Sequence, residues 1–319
     1  MIYLITGAAG FIGFSLSKKL LEKGEQIVGV DNLNNYYYSQ QLKKDRLKIL
    51  LRYPNFSFHK IDICDSPKLE KVFSKYKPRR VCNLAAQAGV RYSLENPFAY
   101  EKSNMLGFLN ILELMRKFKI KNLVFASSSS VYGGIDKTPF KENMQINKPI
   151  SIYAATKAAN EIYSYVYHHL FGINCIGLRF FSVYGPWGRP DMALFLFTKS
   201  ISEGKKISVF NSGKMSRDFT YIDDIVNGIE KSLEKVEKIG YEIINLGQSK
   251  PINLNKFISL IEKKLGKKAK KALLPMQKGD VVQTCASILK AKKILGYTPK
   301  TSIEKGISNF INWYKEYYG

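Results

Sequence analysis

Histidine and cysteine are scarce in this chain of 319 residues, with three of the first and four of the second. His59, His168 and His169 form no cluster. Cys64, Cys82, Cys175 and Cys285 show neither metal-ligand spacing nor a paired framework. A metal enzyme is therefore not expected, and the thiols read as core residues suited to a reducing compartment. No apolar run approaches the roughly 20 residues that span a bilayer, which removes a membrane helix. No internal repeat, low-complexity tract or flexible linker interrupts the chain. The first residues run straight into a strand without a charged leader, so a cytoplasmic protein is expected. Acidic residues are in deficit, 26 against 50 basic ones, a formal charge of +24. Such a balance would suit a nucleic-acid or membrane-surface binder. The lysines are spread along the chain, however, and the densest run, 263–271, reads as the end of an amphipathic helix and its loop. We read a solvated basic surface that draws in an anionic substrate, with neither nucleic acid nor membrane as partner.

What the chain does contain is alternation. A short apolar run at 1–6 meets Gly7-Ala-Ala-Gly10-Phe-Ile-Gly13. Glycines at this spacing serve a tight turn, close approach of backbone to a pyrophosphate, and close packing of helix on strand. A helix from Phe11 to about Lys23 then points its amino terminus at the phosphates, with Ile12 in its first turn. Gly24 ends it, and a second strand at 25–30 finishes at Asp31, 24 residues after the first glycine. A carboxylate there accepts hydrogen bonds from the adenosine ribose and repels a 2′-phosphate, so NAD is favoured over NADP. Asn32 follows it. A strand at 56–61 leads to Asp62 and Ile63, expected near the adenine. Another at 80–84 ends in Leu84, Ala85, Ala86 and Gln87, a small-residue turn that lets backbone approach a cofactor. A helix over about 96–118, a strand at 121–126, a helix to about Leu170 and a strand at 174–179 follow. The pattern predicts an α/β fold: a Rossmann-like, doubly wound parallel sheet.

The first unit is expected over 1–185, with a strand near 241–247 returning to its sheet. A smaller carboxy-terminal α/β lobe over 186–319 would bind the substrate. Its expected elements are helices at 192–203, 222–235, 254–265, 287–295 and 303–317, and a strand at 206–210.

The chemistry centres on Tyr153-Ala-Ala-Thr-Lys157. Four residues apart on a helix, phenol and ammonium share one face. The nearby cation is expected to lower the tyrosine pKa toward that of a working base. Ser127 to Ser130 end the strand at 121–126, where hydroxyls point into the ligand crevice of such folds.

With these residues in view, the chain resembles the extended short-chain dehydrogenases/reductases, in the group of NAD-dependent nucleotide-sugar epimerases and dehydratases. The stretches 31–37, 85–93, 179–192 and 217–225 are similar to those of UDP-glucuronate 4-epimerases. Asn35, Tyr38, Ser182 and Lys278 depart from the family's usual residues. The resemblance implies inversion at C4 of a UDP-sugar through a 4-keto intermediate, with UDP-glucuronate as substrate. It implies that Ser128 holds the sugar 4-hydroxyl beside Tyr153 and Lys157. Ser129, Ser130 and Ser182 are candidates for the sugar and its carboxylate. Phe181 would flank the nicotinamide and Asn104 would reach the cofactor from its helix. Arg189 and Arg217 would contact the UDP moiety, Val209 and Phe210 the uracil, and Asp280 the uridine ribose. The family's matching helices pair two subunits, which implies a homodimer. The serine run carries no Asp or Glu, unlike that of the related decarboxylases, and no acid is evident for a dehydratase's departing hydroxyl. A 4-epimerase of UDP-glucose or UDP-N-acetylglucosamine, and a non-catalytic NAD-binding protein, stay open beside the main reading.

Asp31→Ala should weaken NAD binding by about ten- to a hundredfold, the worth of hydrogen bonds to a charged acceptor, and relax exclusion of NADP. Titration of wild type and variant with both dinucleotides checks this. A wild type that prefers NADP would overturn the role given to Asp31.

Overall fold

The apolar runs become the strands of one seven-stranded parallel sheet in a computed structural model that describes residues 1–36, 38–277 and 279–319. Tyr37 and Lys278, both in stretches named above, lie outside the described residues. The chain alternates β1 (Ile2–Thr6), α1 (Phe11–Glu22), β2 (Gln26–Asp31), α2 (Gln41–Leu50), β3 (Phe56–Lys60), α3 (Ser66–Tyr76) and β4 (Arg80–Asn83). Then come β5 (Asn122–Ser128), the helix Ile152–Phe171 and β6 (Asn174–Phe180). The strand Tyr241–Leu246 returns to the sheet beside β6, as expected. The order across the sheet is Tyr241–Leu246, β6, β5, β4, β1, β2, β3. Successive strands run outward in opposite directions from β1 and β4. A crevice opens beyond the carboxyl ends of strands at such a reversal.

Burial explains why these runs read as continuous apolar stretches. Leu4, Ile5, Val28, Val30, Val81, Cys82, Val124, Phe125, Cys175 and Ile176 are all fully enclosed, because helices cover both faces of the sheet. No helix among the described residues is long and apolar enough to cross a membrane.

The second half adds small paired strands. Ser182–Tyr184 runs parallel to Phe219–Tyr221, and Ser216–Arg217 lies antiparallel to Ile252–Asn253. Lys206–Phe210 pairs in parallel with Lys270–Leu274. That last pairing corrects the reading of 263–271 as helix end and loop alone. The helix Leu254–Leu265 stops at Gly266, whose φ is +69°, and the Glu262 carboxylate accepts the Ala269 N–H at 2.9 Å. The chain is thereby turned into a strand beginning at Lys270.

The helix expected over 96–118 is also broken. Tyr92–Glu95 and Pro97–Tyr100 are single turns, Glu101–Leu106 is a π-helical stretch, and Gly107–Lys117 is a regular helix. Pro97 restarts the helix, with the Asn96 side chain accepting the Ala99 N–H at 3.2 Å. The wider turn brings Asn104 inward, and Gly107 lets Ile63 approach so closely that an added Cβ would lie 2.6 Å from it. The helix expected at 287–295 is confined to Leu289–Leu295.

Candidate active site

A cleft of about 1010 Å³ lies at the carboxyl ends of the strands. Every site residue named above lines it, except Asn104 and Val209. Its floor is the glycine turn. Gly7 has φ +69°, and a Cβ there would sit 2.8 Å from the Ala85 nitrogen; one on Gly13 would sit 2.1 Å from the Gly7 carbonyl. Both positions exclude a side chain through backbone contacts alone. Gly10 caps α1 without any side-chain acceptor, so the first-turn N–H groups of the helix face the cleft.

Asp31 ends β2. Its carboxylate accepts the Ala9 N–H at 3.1 Å and the Leu33 N–H at 2.8 Å, which leaves acceptor capacity for ribose hydroxyls. Asp62 accepts from Cys64 N–H at 2.9 Å and from the Asn32 amide at 3.0 Å. Burial pushes the Asp62 carboxyl up, but these hydrogen bonds outweigh it and hold the group below its ordinary value. Thr6, which the sequence reading passed over, accepts the N–H groups of Leu84 and Ala85 at 3.2 and 3.1 Å and so fixes the small-residue turn.

Asn104 does not reach the cleft. Its amide donates to the Gln87 carbonyl and to the Thr156 hydroxyl, both at 3.0 Å, and its oxygen accepts the Gln87 N–H at 2.8 Å. Its side chain thereby ties the turn after β4 to the helix Ile152–Phe171. Val209 does not line the cleft either. Strand side chains alternate, so Phe210 and Ser208 face the cleft while the Val209 side chain is fully buried on the other side.

Tyr153 and Ser128 meet where the two halves of the cleft join. Burial raises the Tyr153 pKa, while a hydrogen bond with the Ser128 hydroxyl and the Arg189 cation draw it down. The expected depression by Lys157 is not what acts here. The Lys157 Nζ donates instead to the Ala126 carbonyl at 2.8 Å, and burial lowers its own pKa to about 8 against the pull of Glu161. Glu161, one turn further on, takes two hydrogen bonds from Arg179, at 2.9 and 2.7 Å, and one from Ser127 at 2.5 Å. Ser127 is thus committed to the core. Ser128 accepts the Ser130 N–H at 3.1 Å, whereas Ser129, Ser130 and Ser182 make no side-chain hydrogen bond among the described residues. The Tyr100 ring stands edge-on to Tyr153 at 6.1 Å, with its hydroxyl on the Gly89 carbonyl at 2.7 Å.

The far end of the cleft carries the arginines. Arg189 meets the Asp191 carboxylate at 3.0 and 2.5 Å and the Ala88 carbonyl at 3.3 Å. Arg217 donates to the Ser216 and Val282 carbonyls at 3.0 and 3.2 Å. Burial, with help from the Arg91 cation, holds Arg217 below its ordinary value, and Asp280 offsets part of this. An anion placed there relieves the remainder. Arg91 was passed over by the sequence reading, although it lies in the 85–93 stretch. It lies 5.0 Å from the Phe210 ring centre and pairs with Asp280 at 3.4 Å. Lys43, on a helix the sequence reading left undefined, reaches to 4.0 Å from Asp31 and bonds the Asn34 side chain at 3.0 Å.

These residues fit a dinucleotide. The helix start is uncapped, Asp31 keeps free lone pairs, and the buried Gln87 Oε1 in the cleft wall has no partner. The family model described as GDP-mannose 4,6 dehydratase matches residues 4–310. A UDP-glucuronate 4-epimerase of Thermodesulfobacterium geofontis is 50% identical over 315 residues, covering 98% of this chain and 96% of that one. The crystal structure of UDP-glucuronic acid 4-epimerase from Bacillus cereus, in complex with UDP-glucuronic acid and NAD, matches with a TM-score of 0.94 at 35% identity and full coverage of both chains. A UDP-glucose 4-epimerase from Thermotoga maritima, solved with UDP-glucose, matches at 0.90 with 31% identity, again over the whole of both chains. The chain belongs to the GDP-mannose 4,6 dehydratase family, in its NAD-dependent epimerase/dehydratase type.

Proposed function

We propose that this protein is an NAD-dependent 4-epimerase that interconverts UDP-glucuronate and UDP-galacturonate. The observation that carries the reading is one cleft lined by the glycine turn, by Tyr153 with Ser128, and by Arg189 and Arg217. Residues 1–185 with the returning strand hold the dinucleotide, and residues 186–319 hold the UDP end. Bound NAD supplies a reversible acceptor for the hydrogen and electron pair of the sugar's C4–H bond. The chain's own groups do the rest. Tyr153 takes the proton from the 4-hydroxyl as that oxygen becomes a carbonyl, and gives it back to the alcohol of opposite hand. Ser128 donates to the same oxygen. Lys157, held at the Ala126 carbonyl, keeps a positive charge beneath the site. The sugar turns between the two half-steps, while Arg189, Arg217, Phe210 and Asp280 anchor the nucleotide end. Oxidation and reduction at C4 cancel, so one cofactor serves every cycle.

The sugar end favours this over elimination, because the run Ser128-Ser129-Ser130-Val131 contains no Asp or Glu to protonate a leaving hydroxyl. The free hydroxyls of Ser129, Ser130 and Ser182 suit a C6 carboxylate that must be held in both orientations of the ring. A fixed arginine would grip one orientation and slow the turn. Each hydrogen bond to the charged group contributes about 1.5–3 kcal/mol, enough together to separate the acid from UDP-glucose.

Assembly follows from a different surface. Ile162, Tyr165, Val166 and Leu170 are exposed on the helix Ile152–Phe171, Ile162 to 62%, and Phe98 nearby in the chain is 83% exposed. An apolar face of this kind suits burial against its own copy in a twofold dimer.

Tyr153→Phe should lower turnover by about 10²–10⁴ while NAD still binds, since the glycine turn is untouched. Proton NMR of the product from UDP-glucuronate measures both the reaction and its C4 outcome. Near-normal activity, or a product other than the C4 epimer, would remove the assignment. Ser129→Ala combined with Ser182→Ala should cut activity on UDP-glucuronate at least tenfold more than activity on UDP-glucose. Equal losses on both sugars would place specificity elsewhere and favour the UDP-glucose reading. Light scattering at micromolar concentration should give a dimer, converted to monomer by Ile162→Glu with Val166→Glu; a wild-type monomer would refute the pairing.

A further inference from the structure

Arg46, on α2, carries none of the roles given above and is completely buried. Its Nη1 donates to the Ala9 carbonyl and to the Tyr38 hydroxyl, each at 3.1 Å. Its Nη2 donates to the Trp187 carbonyl at 2.5 Å and lies 3.5 Å from that of Gly188. Nε has no partner, and no carboxylate among the described residues forms an ion pair with the group. A buried cation without a counter-ion is costly, and an apolar side chain of that volume would fill the space more cheaply. The guanidinium's contribution therefore lies in which carbonyls it holds together.

Those carbonyls belong to two turns that adjoin the cleft, one beside Gly10 and the other beside Arg189. Ala9 sits inside the glycine turn, with its N–H on Asp31 at 3.1 Å. Trp187 lies in the segment that enters the second half of the chain, and its φ is +62°, a conformation bulky residues adopt only when their surroundings enforce it. The enforcement is visible. The Trp187 ring is packed at 5.5 Å from Phe14, 5.4 Å from Trp313 and 5.2 Å from Tyr317, and its carbonyl is held by Arg46. Two residues later, Arg189 enters the cleft and touches the Ala88 carbonyl.

We propose that Arg46 is a positioning residue that joins the glycine turn to the Trp187 turn as one unit, so that seating the dinucleotide and aiming Arg189 at the substrate's diphosphate are set together. It touches neither ligand. A planar fork can bind two carbonyls at once in fixed directions, which a lysine's single ammonium cannot reproduce. The proposal rests on the reading that NAD and the UDP-sugar occupy opposite ends of this cleft.

The test follows exchange of bound NAD for labelled NAD, with and without saturating UDP. In wild type, UDP should slow exchange by about tenfold, within the usual range of coupling between two sites. In Arg46→Lys the effect of UDP should shrink to less than about twofold while both ligands still bind. A folded Arg46→Lys protein with the full wild-type slowing would overturn the proposal, as would weaker binding of each ligand with the coupling intact. Arg46→Gln provides the same comparison where the lysine variant does not fold. A wild type whose NAD exchange ignores UDP also refutes the coupling, whereas a wild type that binds no NAD or no UDP refutes the functional reading itself.

Discussion

The buried ammonium of Lys157 is the constraint around which the site is built. It lies in the core at the Ala126 carbonyl, where water cannot solvate it, and burial brings its pKa to about 8 from 10.5. Because the folded value lies below the unfolded one, the charge costs the empty protein stability at every pH below about 8. That cost, at most about 3 kcal/mol, fades as pH rises from the folded toward the unfolded pKa. Glu161, one turn along the same helix, limits it. Glu161 in turn is held by Arg179 and Ser127, so the charge beneath the active site is tied to β5, β6 and the helix that carries Tyr153. Arg179 extends the chain through the Tyr132 hydroxyl at 2.9 Å to Asn245 at 2.7 Å on the returning strand. A buried cation that weakens the fold in this way fits the role proposed for Lys157 beneath Tyr153.

The cofactor wall is built differently. It presents mostly backbone, from the glycine turn and the turn after β4, and backbone needs holding in place. Buried polar side chains behind the wall do this: Thr6 holds Leu84 and Ala85, Asn104 holds Gln87, and Asp31 holds Ala9. The π-helical stretch Glu101–Leu106 exists in the same service, since it turns the Asn104 side chain toward Gln87. Each of these residues is separated by many positions in sequence from what it fixes.

That separation explains what could be read in advance. The sheet, the glycine turn and Asp31 were legible, because spacing within one strand–turn–helix unit dictates geometry. Tyr153 and Lys157 were legible as a pair on one helix face, but not how they act. The sequence suggested that lysine tunes tyrosine, whereas burial holds the phenol above its ordinary value and Ser128 and Arg189, from two other segments, offset part of that rise. The bonds of Asn104 to Gln87 and Thr156 were not legible, because a polar residue on a helix over a cleft gives no sign of the buried partners behind it. The burial of the Val209 side chain, one strand position from Phe210, was not legible, because one step along a strand changes the face a side chain occupies. Lys43 and Arg46 escaped notice because α2 is rich in charge and offers a weak apolar stripe, and Arg91 because it lies in a loop.

The charges in the cleft bear on how an anionic substrate enters. The chain carries a net +24, yet the arginines at the nucleotide end are not bare. Arg189 is clasped by Asp191, and Arg91 by Asp280 beside Phe210. These carboxylates hold the guanidinium groups of Arg189 and Arg91 in place, and Asp280 also offsets the repulsion between Arg91 and Arg217. A diphosphate arriving there shares donors that are already aimed, so little side-chain entropy remains to be lost on binding. Around Tyr153 the cleft presents mainly hydroxyls and the phenol, with the buried Lys157 ammonium beneath them. The cleft thus offers paired, oriented charge around Arg189 and Arg91, and hydroxyls around Tyr153.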